Sequence, residues 1–182
     1  MTIIDVVVEV HELLTAACPR HAFGGALALA YYAEPRATVD IDVNVFLPDA
    51  ELGSVVEALA TAGYAADPPS PDPLPVAGIR FRREIDPFPV DLFPPLGRPY
   101  DEIADRIRWW PFGPQSTELP FLSAEDITLF KLSFGRRKDW TDLEQLVASG
   151  TSLDVDYVER QLIDLRGPTM YPRLARLRAL VG

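Results

Sequence analysis

The most regular alternation in the chain runs over residues 36–46, RATVDIDVNVF. Val39, Ile41, Val43 and Val45 fall on one face, and Thr38, Asp40, Asp42 and Asn44 on the other. A period of two built on β-branched residues predicts a strand with one buried face. Upstream, residues 6–17 predict an opening helix that Pro19 stops. A short extended stretch at His21–Phe23, the pair Gly24-Gly25 and the run ALALAYYA then read as strand, glycine turn and helix. Residues 49–63 predict an amphipathic helix ended by Gly63.

DPPSPDPLP at 67–75 holds neither helix nor interior strand and is read as a surface loop. Residues 76–85 and 88–93 predict two strands that pair as neighbours, 100–110 a helix, and 111–120 a loop carrying a short extended segment. Ser123 predicts an N-cap, with Asp126 three residues on, for a helix through Lys131. Helices follow at 139–148 and 154–165, and Gly167-Pro168 breaks the run before a final basic helix. The outline is a mixed α and β segment over 1–122 followed by a helical portion over 123–182.

Composition narrows the class. At 182 residues and 48% hydrophobic, the chain is long and apolar enough to bury a core without staples. The single cysteine, Cys18, excludes a disulfide framework and a Cys-rich zinc site, and a reducing, cytoplasmic setting is expected. The first residues carry Asp and Glu instead of a basic n-region, so no secretory signal is expected, and no apolar run suits a membrane span. The net charge of −10 disfavours general binding to a polyphosphate backbone, although basic residues gather in GIRFRR (78–83) and FGRRKDW (134–140).

Candidate chemistry comes from carboxylates. Five acidic-x-acidic pairs occur (Asp40/Asp42, Asp49/Glu51, Glu84/Asp86, Asp142/Glu144 and Asp154/Asp156), and about four are expected by chance, so number selects none of them. Context does. Only Asp40/Asp42 sits in an unbroken β-pattern whose opposite face is apolar. Two carboxylates on one strand face repel each other unless a cation lies between them, and Mg²⁺ suits such oxygen ligands. Asp91, the lone charge in FPVDLF, is costly to bury unless compensated, and beside the first two it would complete a two-metal site. On pattern alone the three aspartates equally suit exposed strand faces. The Gly24-Gly25 pair reads either as an ordinary turn or as a backbone cradle for phosphate at a helix N-terminus.

The stretch FGGALALAYYAEPRATVDIDVNVF resembles the signature of polymerase-β-like nucleotidyltransferases. It is similar in particular to the AbiEii-type enzymes found as toxins in bacterial toxin–antitoxin and phage-defence pairs. Gly24, Gly25, Arg36, Thr38, Asp40 and Asp42 fall on the signature positions, and FPVDLF resembles the strand of the third carboxylate, Asp91. SAEDITLFKLSFGRRKDWTDLEQLV resembles the family's C-terminal helical motif, with Lys131, Arg137, Lys138, Asp139 and Asp142 on its positions. The resemblance covers roughly 20–150; residues 1–19 and 151–182 match nothing in it.

The resemblance implies an α+β fold with a small mixed sheet flanked by helices. It implies two Mg²⁺ ions on Asp40, Asp42 and Asp91, and a nucleoside triphosphate held by Gly24, Gly25, Arg36, Thr38, Lys131, Arg137 and Lys138. The expected activity is transfer of a nucleoside monophosphate to an acceptor hydroxyl on RNA or protein, with Asp91 orienting or activating that hydroxyl and an antitoxin protein as partner. A small acceptor such as an aminoglycoside or lincosamide antibiotic is the alternative. A third alternative, a non-catalytic binding member, is disfavoured by the intact carboxylates. Asp139 is read as a helix N-cap, His21 as packed or backbone-bonded, and Trp109, Trp110 and Phe112 as core or a partner surface.

Overall fold

The computed structural model describes residues 1–68, 78–95 and 99–182, so most of the proline-rich loop expected at 67–75 lies outside the described residues. The elements are α1 (Ile3–Ala17), β1 (His21–Phe23), α2 (Gly25–Leu29), β2 (Ile41–Val45), α3 (Leu52–Thr61), β3 (Ala65–Ala66), β4 (Ile79–Arg82) and β5 (Val90–Phe93). They continue with α4 (Pro99–Asp105), β6 (Arg108–Phe112), β7 (Thr117–Phe121), α5 (Ala124–Phe134), α6 (Arg137–Ala148), α7 (Val155–Arg166) and α8 (Tyr171–Val181). The strands form one mixed sheet in the order β3-β4-β5-β2-β1-β7-β6. β2 runs parallel to β5 and β1 parallel to β7, and the remaining neighbours are antiparallel.

The alternation in β2 does what a period of two requires: Ile41, Val43 and Val45 are fully buried, in one hydrophobic core with Val6, Val10 and Leu14 of α1 and Val55 and Leu59 of α3. The strand is shorter than the alternation predicts. It begins at Ile41, which pairs with Val90 at the start of β5, and Val39 lies 69% exposed; among the described residues, none of 36–40 pairs with a strand. From Ala124 onward the chain is helical, α5 packs on α6, α7 and α2, and Leu129, Leu132, Leu143 and Leu162 join the same core. Ser123 caps α5, its hydroxyl accepting from the Asp126 N–H, and Asp154 caps α7 by accepting from the Tyr157 N–H.

Four sequence expectations change. The helix at ALALAYYA stops at Leu29, and Tyr31 and Tyr32 pack against Trp110, edge-on and tilted, with ring centroids 4.5 and 5.2 Å away. The helix over 100–110 ends at Asp105, and the expected loop at 111–120 is the β6–β7 hairpin. Trp110 precedes Pro111, which disfavours helical backbone there, and Pro111 is tolerated because β6 is the sheet edge. Asp139 is the third residue of α6 and not its N-cap; its carboxylate reaches back to accept from the Arg136 N–H at 2.9 Å. His21 is buried, with Nδ1 2.9 Å from the Cys18 carbonyl oxygen, and burial holds its pKa down at about 4. Trp110 and Phe112 pack against the core, whereas Trp109 is 54% exposed. No described helix is long and apolar enough to cross a membrane.

Candidate active site

The bend between β1 and α2 determines how close Asp42 comes to the main chain. The Gly24 N–H donates to the Asp42 carbonyl at 2.9 Å, which ties the bend to β2. Gly25 has φ +54°, and a Cβ there would stand 1.7 Å from Asp42 Oδ2. Only glycine fits both the left-handed backbone and the carboxylate lying on it. At Gly24 a Cβ would meet the Asn44 side-chain nitrogen at 3.0 Å and Leu122 at 3.2 Å.

The parallel register between β2 and β5 sets Asp42 directly opposite Asp91. Residues opposite in register put their side chains on the same face of the sheet, so these two carboxylates are neighbours. Asp40 immediately precedes β2, and the Thr38 hydroxyl donates to its Oδ1 at 2.6 Å. Burial alone would raise the Asp40 carboxyl, but the Thr38 hydrogen bond and then the charge of Lys138 hold it below the usual value. Asp42 behaves oppositely: burial first, then the charges of Asp40 and Asp91, push it up to about 6. Among the described residues its side chain receives no hydrogen bond and no ion pair.

Cations surround the carboxylates, most of them already paired. Arg80 on β4 lies opposite Asp91 in the antiparallel register and grips it with a two-pronged fork, Nε to Oδ1 at 2.6 Å and Nη2 to Oδ2 at 2.5 Å. Asp142 on α6 gathers two cations: Arg36 donates to both its oxygens at 2.8 and 3.0 Å, and the buried Lys131 of α5 also donates to it. These hydrogen bonds outweigh the effect of burial and lower the Asp142 carboxyl. Arg136 is held by Asp139. Arg137 and Lys138, exposed in the first turn of α6, form no ion pair among the described residues, and Lys138 lowers the pKa of both Asp40 and Asp42.

An open cleft of about 470 Å³ joins these groups, lined on its polar side by Gly25, Asp42, Asn44, Lys131 and Arg136, and on its apolar side by residues that include Phe93, Phe130 and Phe134. A few polar groups converge there on an apolar wall, the composition of a small-ligand site. The expected residues Gly25, Asp42 and Lys131 therefore share one cleft, with Gly24 and Asp91 beside Asp42 and Asp40 at the start of its strand. Arg36 and Lys131 are drawn to Asp142, and Arg137 meets none of the carboxylates.

Sequence reasoning missed Asn44, Arg80, Arg136 and the linking role of Asp142. Asn44 shares a strand face with Asp42, which is a readable signal. Arg80 stood out only as part of a basic cluster, because its partner depends on strand register. A divalent cation fits the unpartnered Asp42 and its neighbour Asp40, whereas Asp91 is engaged by Arg80. Among the described residues no group of three or more His, Cys, Asp or Glu is arranged to hold a metal ion as the side chains stand.

No family model and no characterised protein sequence matches the chain. Solved structures do. The crystal structure of ANT(2″)-Ia in complex with adenylyl-2″-tobramycin is 17% identical with a TM-score of 0.57, covering 91% of this chain and 99% of that one. The solution structure of the same antibiotic-resistance factor is 14% identical with a TM-score of 0.53, over 96% and 98%. The lincosamide antibiotic adenylyltransferase LnuA, bound to lincomycin, is 15% identical with a TM-score of 0.54, over 78% and 94%. At such identities the likeness is one of fold: this chain has the mixed α+β architecture of the polymerase-β-like nucleotidyltransferases.

Proposed function

We propose that the protein is a Mg²⁺-dependent nucleotidyltransferase that moves a nucleoside monophosphate from a nucleoside triphosphate to an acceptor hydroxyl on RNA or protein, as the toxin of a toxin–antitoxin or phage-defence pair. The observation that carries this reading is Asp42: a half-buried carboxylate with no hydrogen-bond or ion-pair partner among the described residues, seated on the Gly24-Gly25 bend, two positions from Asp40 in sequence and opposite Asp91 in register. Such a group stores the cost of its own burial and like-charge repulsion, and an external cation relieves it.

Asp40 and Asp42 would hold the metal, which when bound supplies charge neutralisation along the triphosphate. Gly24 and Gly25 present main chain, free of side-chain bulk, toward the β- and γ-phosphates. Lys131, which lines the same cleft, adds positive charge, with Asp142 fixing its position, and Arg36, Thr38, Arg137 and Lys138 complete the nucleotide side. The acceptor oxygen forms its bond to the α-phosphorus as the bond to the β-phosphate oxygen breaks. Pyrophosphate leaves, and Asp91 orients the acceptor hydroxyl and receives its proton. Residues 123–182 act as the helical portion that closes the cleft against the core over 1–122.

The exposed cations in the first turn of α6, Arg137 and Lys138, the second of which acts on Asp40 and Asp42, suit an anionic acceptor. The likeness to antibiotic adenylyltransferases favours a second reading with a small hydroxylated antibiotic as acceptor. Incubation with Mg²⁺, each α-labelled nucleoside triphosphate and either total RNA, protein extract, an aminoglycoside or a lincosamide separates the two. Label enters one acceptor class with the wild type and none with Asp42→Ala. Full transfer by Asp42→Ala sinks the assignment.

A further inference from the structure

Asp91 differs from the other two carboxylates in having a cation of its own. Its partner is dictated by topology: Arg80 and Asp91 face each other across the β4–β5 ladder, so the guanidinium is delivered to the carboxylate by the sheet and not by a mobile loop. Both carboxylate oxygens are engaged, at 2.6 and 2.5 Å, by an arginine whose side chain remains 40% exposed. A bidentate fork of this kind is among the strongest charge-assisted contacts a carboxylate makes.

We infer that Arg80 is a built-in counter-cation that takes the place of a second metal ion on Asp91, leaving Asp40 and Asp42 as a single-ion site. The inference rests on the function proposed above and changes its metal count, since the resemblance implied two ions shared by all three aspartates. The lone-pair arithmetic permits it. An ionised carboxylate offers about four acceptor sites, and the fork uses two of them. The remaining two suffice to accept a hydrogen bond from an acceptor hydroxyl, so Asp91 keeps its orienting role without ligating metal. Arg80 also offsets the charge of Asp91, one of the two carboxylates that crowd Asp42. Arg80 is a positioning residue in this scheme: it acts through Asp91.

The test counts ions directly. Mn²⁺ titration of the full chain, followed by electron paramagnetic resonance, reads both stoichiometry and the spin coupling of ions that share a ligand. The wild type binds one Mn²⁺ with no coupling. Arg80→Gln, which removes the cation at a half-exposed position, binds a second Mn²⁺ and shows a coupled pair. Arg80→Lys, which keeps a positive charge there, returns the count to one. Thermal melts run alongside confirm that the variants fold. Equal counts in wild type and Arg80→Gln, or a coupled pair already present in the wild type, overturn the inference while labelled-nucleotide transfer by the wild type leaves the proposed function standing. Absence of both Mn²⁺ binding and transfer overturns the two together.

Discussion

Two carboxylates in this protein, Asp42 and Asp126, are both pushed up to about 6, in each case chiefly by burial. Their surroundings have nothing else in common. Asp126 on α5 accepts from the Ser123 hydroxyl at 2.5 Å and from the Tyr157 hydroxyl at 2.7 Å, and Arg106 stands 3.8 Å away with its guanidinium over the Tyr157 ring. It fastens the start of α5 to α7 and is complete without any ligand. Asp42 accepts nothing from a side chain among the described residues, lies against the main chain of Gly25, and has Asp40 and Asp91 as like-charged neighbours. A perturbed carboxyl alone therefore does not mark a site. What distinguishes the two is whether the fold supplies the compensation or leaves it to something from outside.

The sharpest way to break that comparison is to delete each group. Asp126→Ala leaves the Ser123 and Tyr157 hydroxyls without their buried acceptor, while Arg106 keeps Glu125 at 2.7 Å, and is expected to cost about 3 kcal/mol in denaturant unfolding. A loss near zero would show that Asp126 is not the fastener described. Gly25→Ala tests the other region. Its methyl collides with Asp42 Oδ2 and its φ of +54° is strained for alanine, so displacement of the carboxylate is expected to lower nucleotide transfer by about 100-fold, the loss that follows when a single preorganised group is removed, and stability by about 1 kcal/mol. Wild-type transfer by this variant would mean that Asp42 need not lie on the bend.

Removing the charge of Asp42 has the opposite sign. Asp42→Asn relieves a half-buried charge that no hydrogen bond or ion pair meets among the described residues, and is expected to stabilise the metal-free protein by about 1–2 kcal/mol at pH 7. The pH dependence sharpens this. A carboxyl raised in the folded state favours folding when protonated, so its contribution is fully present below the unfolded pKa of about 4. That contribution is lost as pH rises through about 6. The stability difference between Asp42→Asn and wild type, measured in chelator, should accordingly be near zero below pH 4, grow through pH 6 and then level off. A difference that is flat across this window would place the Asp42 carboxyl at an ordinary pKa and remove the basis of the comparison.

Much of the site was legible along the chain. The alternation at 38–45 separated Asp42 from the four other acidic-x-acidic pairs because its opposite face had to be core, and Ile41, Val43 and Val45 are buried. Gly24-Gly25 marked a bend between a strand and a helix, and FPVDLF marked an isolated charge in a strand. These are local signals, written within a few residues. The edge hairpin was not legible: residues 100–110 carry helical spacing, and only the pairing of β6 with β7, with Trp110 received by Tyr31 and Tyr32, makes Trp109 and Trp110 strand residues. Asp142 looked like one more helix carboxylate until the fold brought it Arg36 from 106 positions away.

By itself, then, the sequence determined which residues form strand and helix around the carboxylates, where the glycine bend falls, and which faces enter the core, since propensity and hydrophobic period act over one or two turns. Only the tertiary structure decided which charges meet. The fork between Arg80 and Asp91, the two cations on Asp142 and the isolation of Asp42 all follow from strand register and helix packing. Those are properties of contacts between segments far apart in the chain, and no local pattern encodes them.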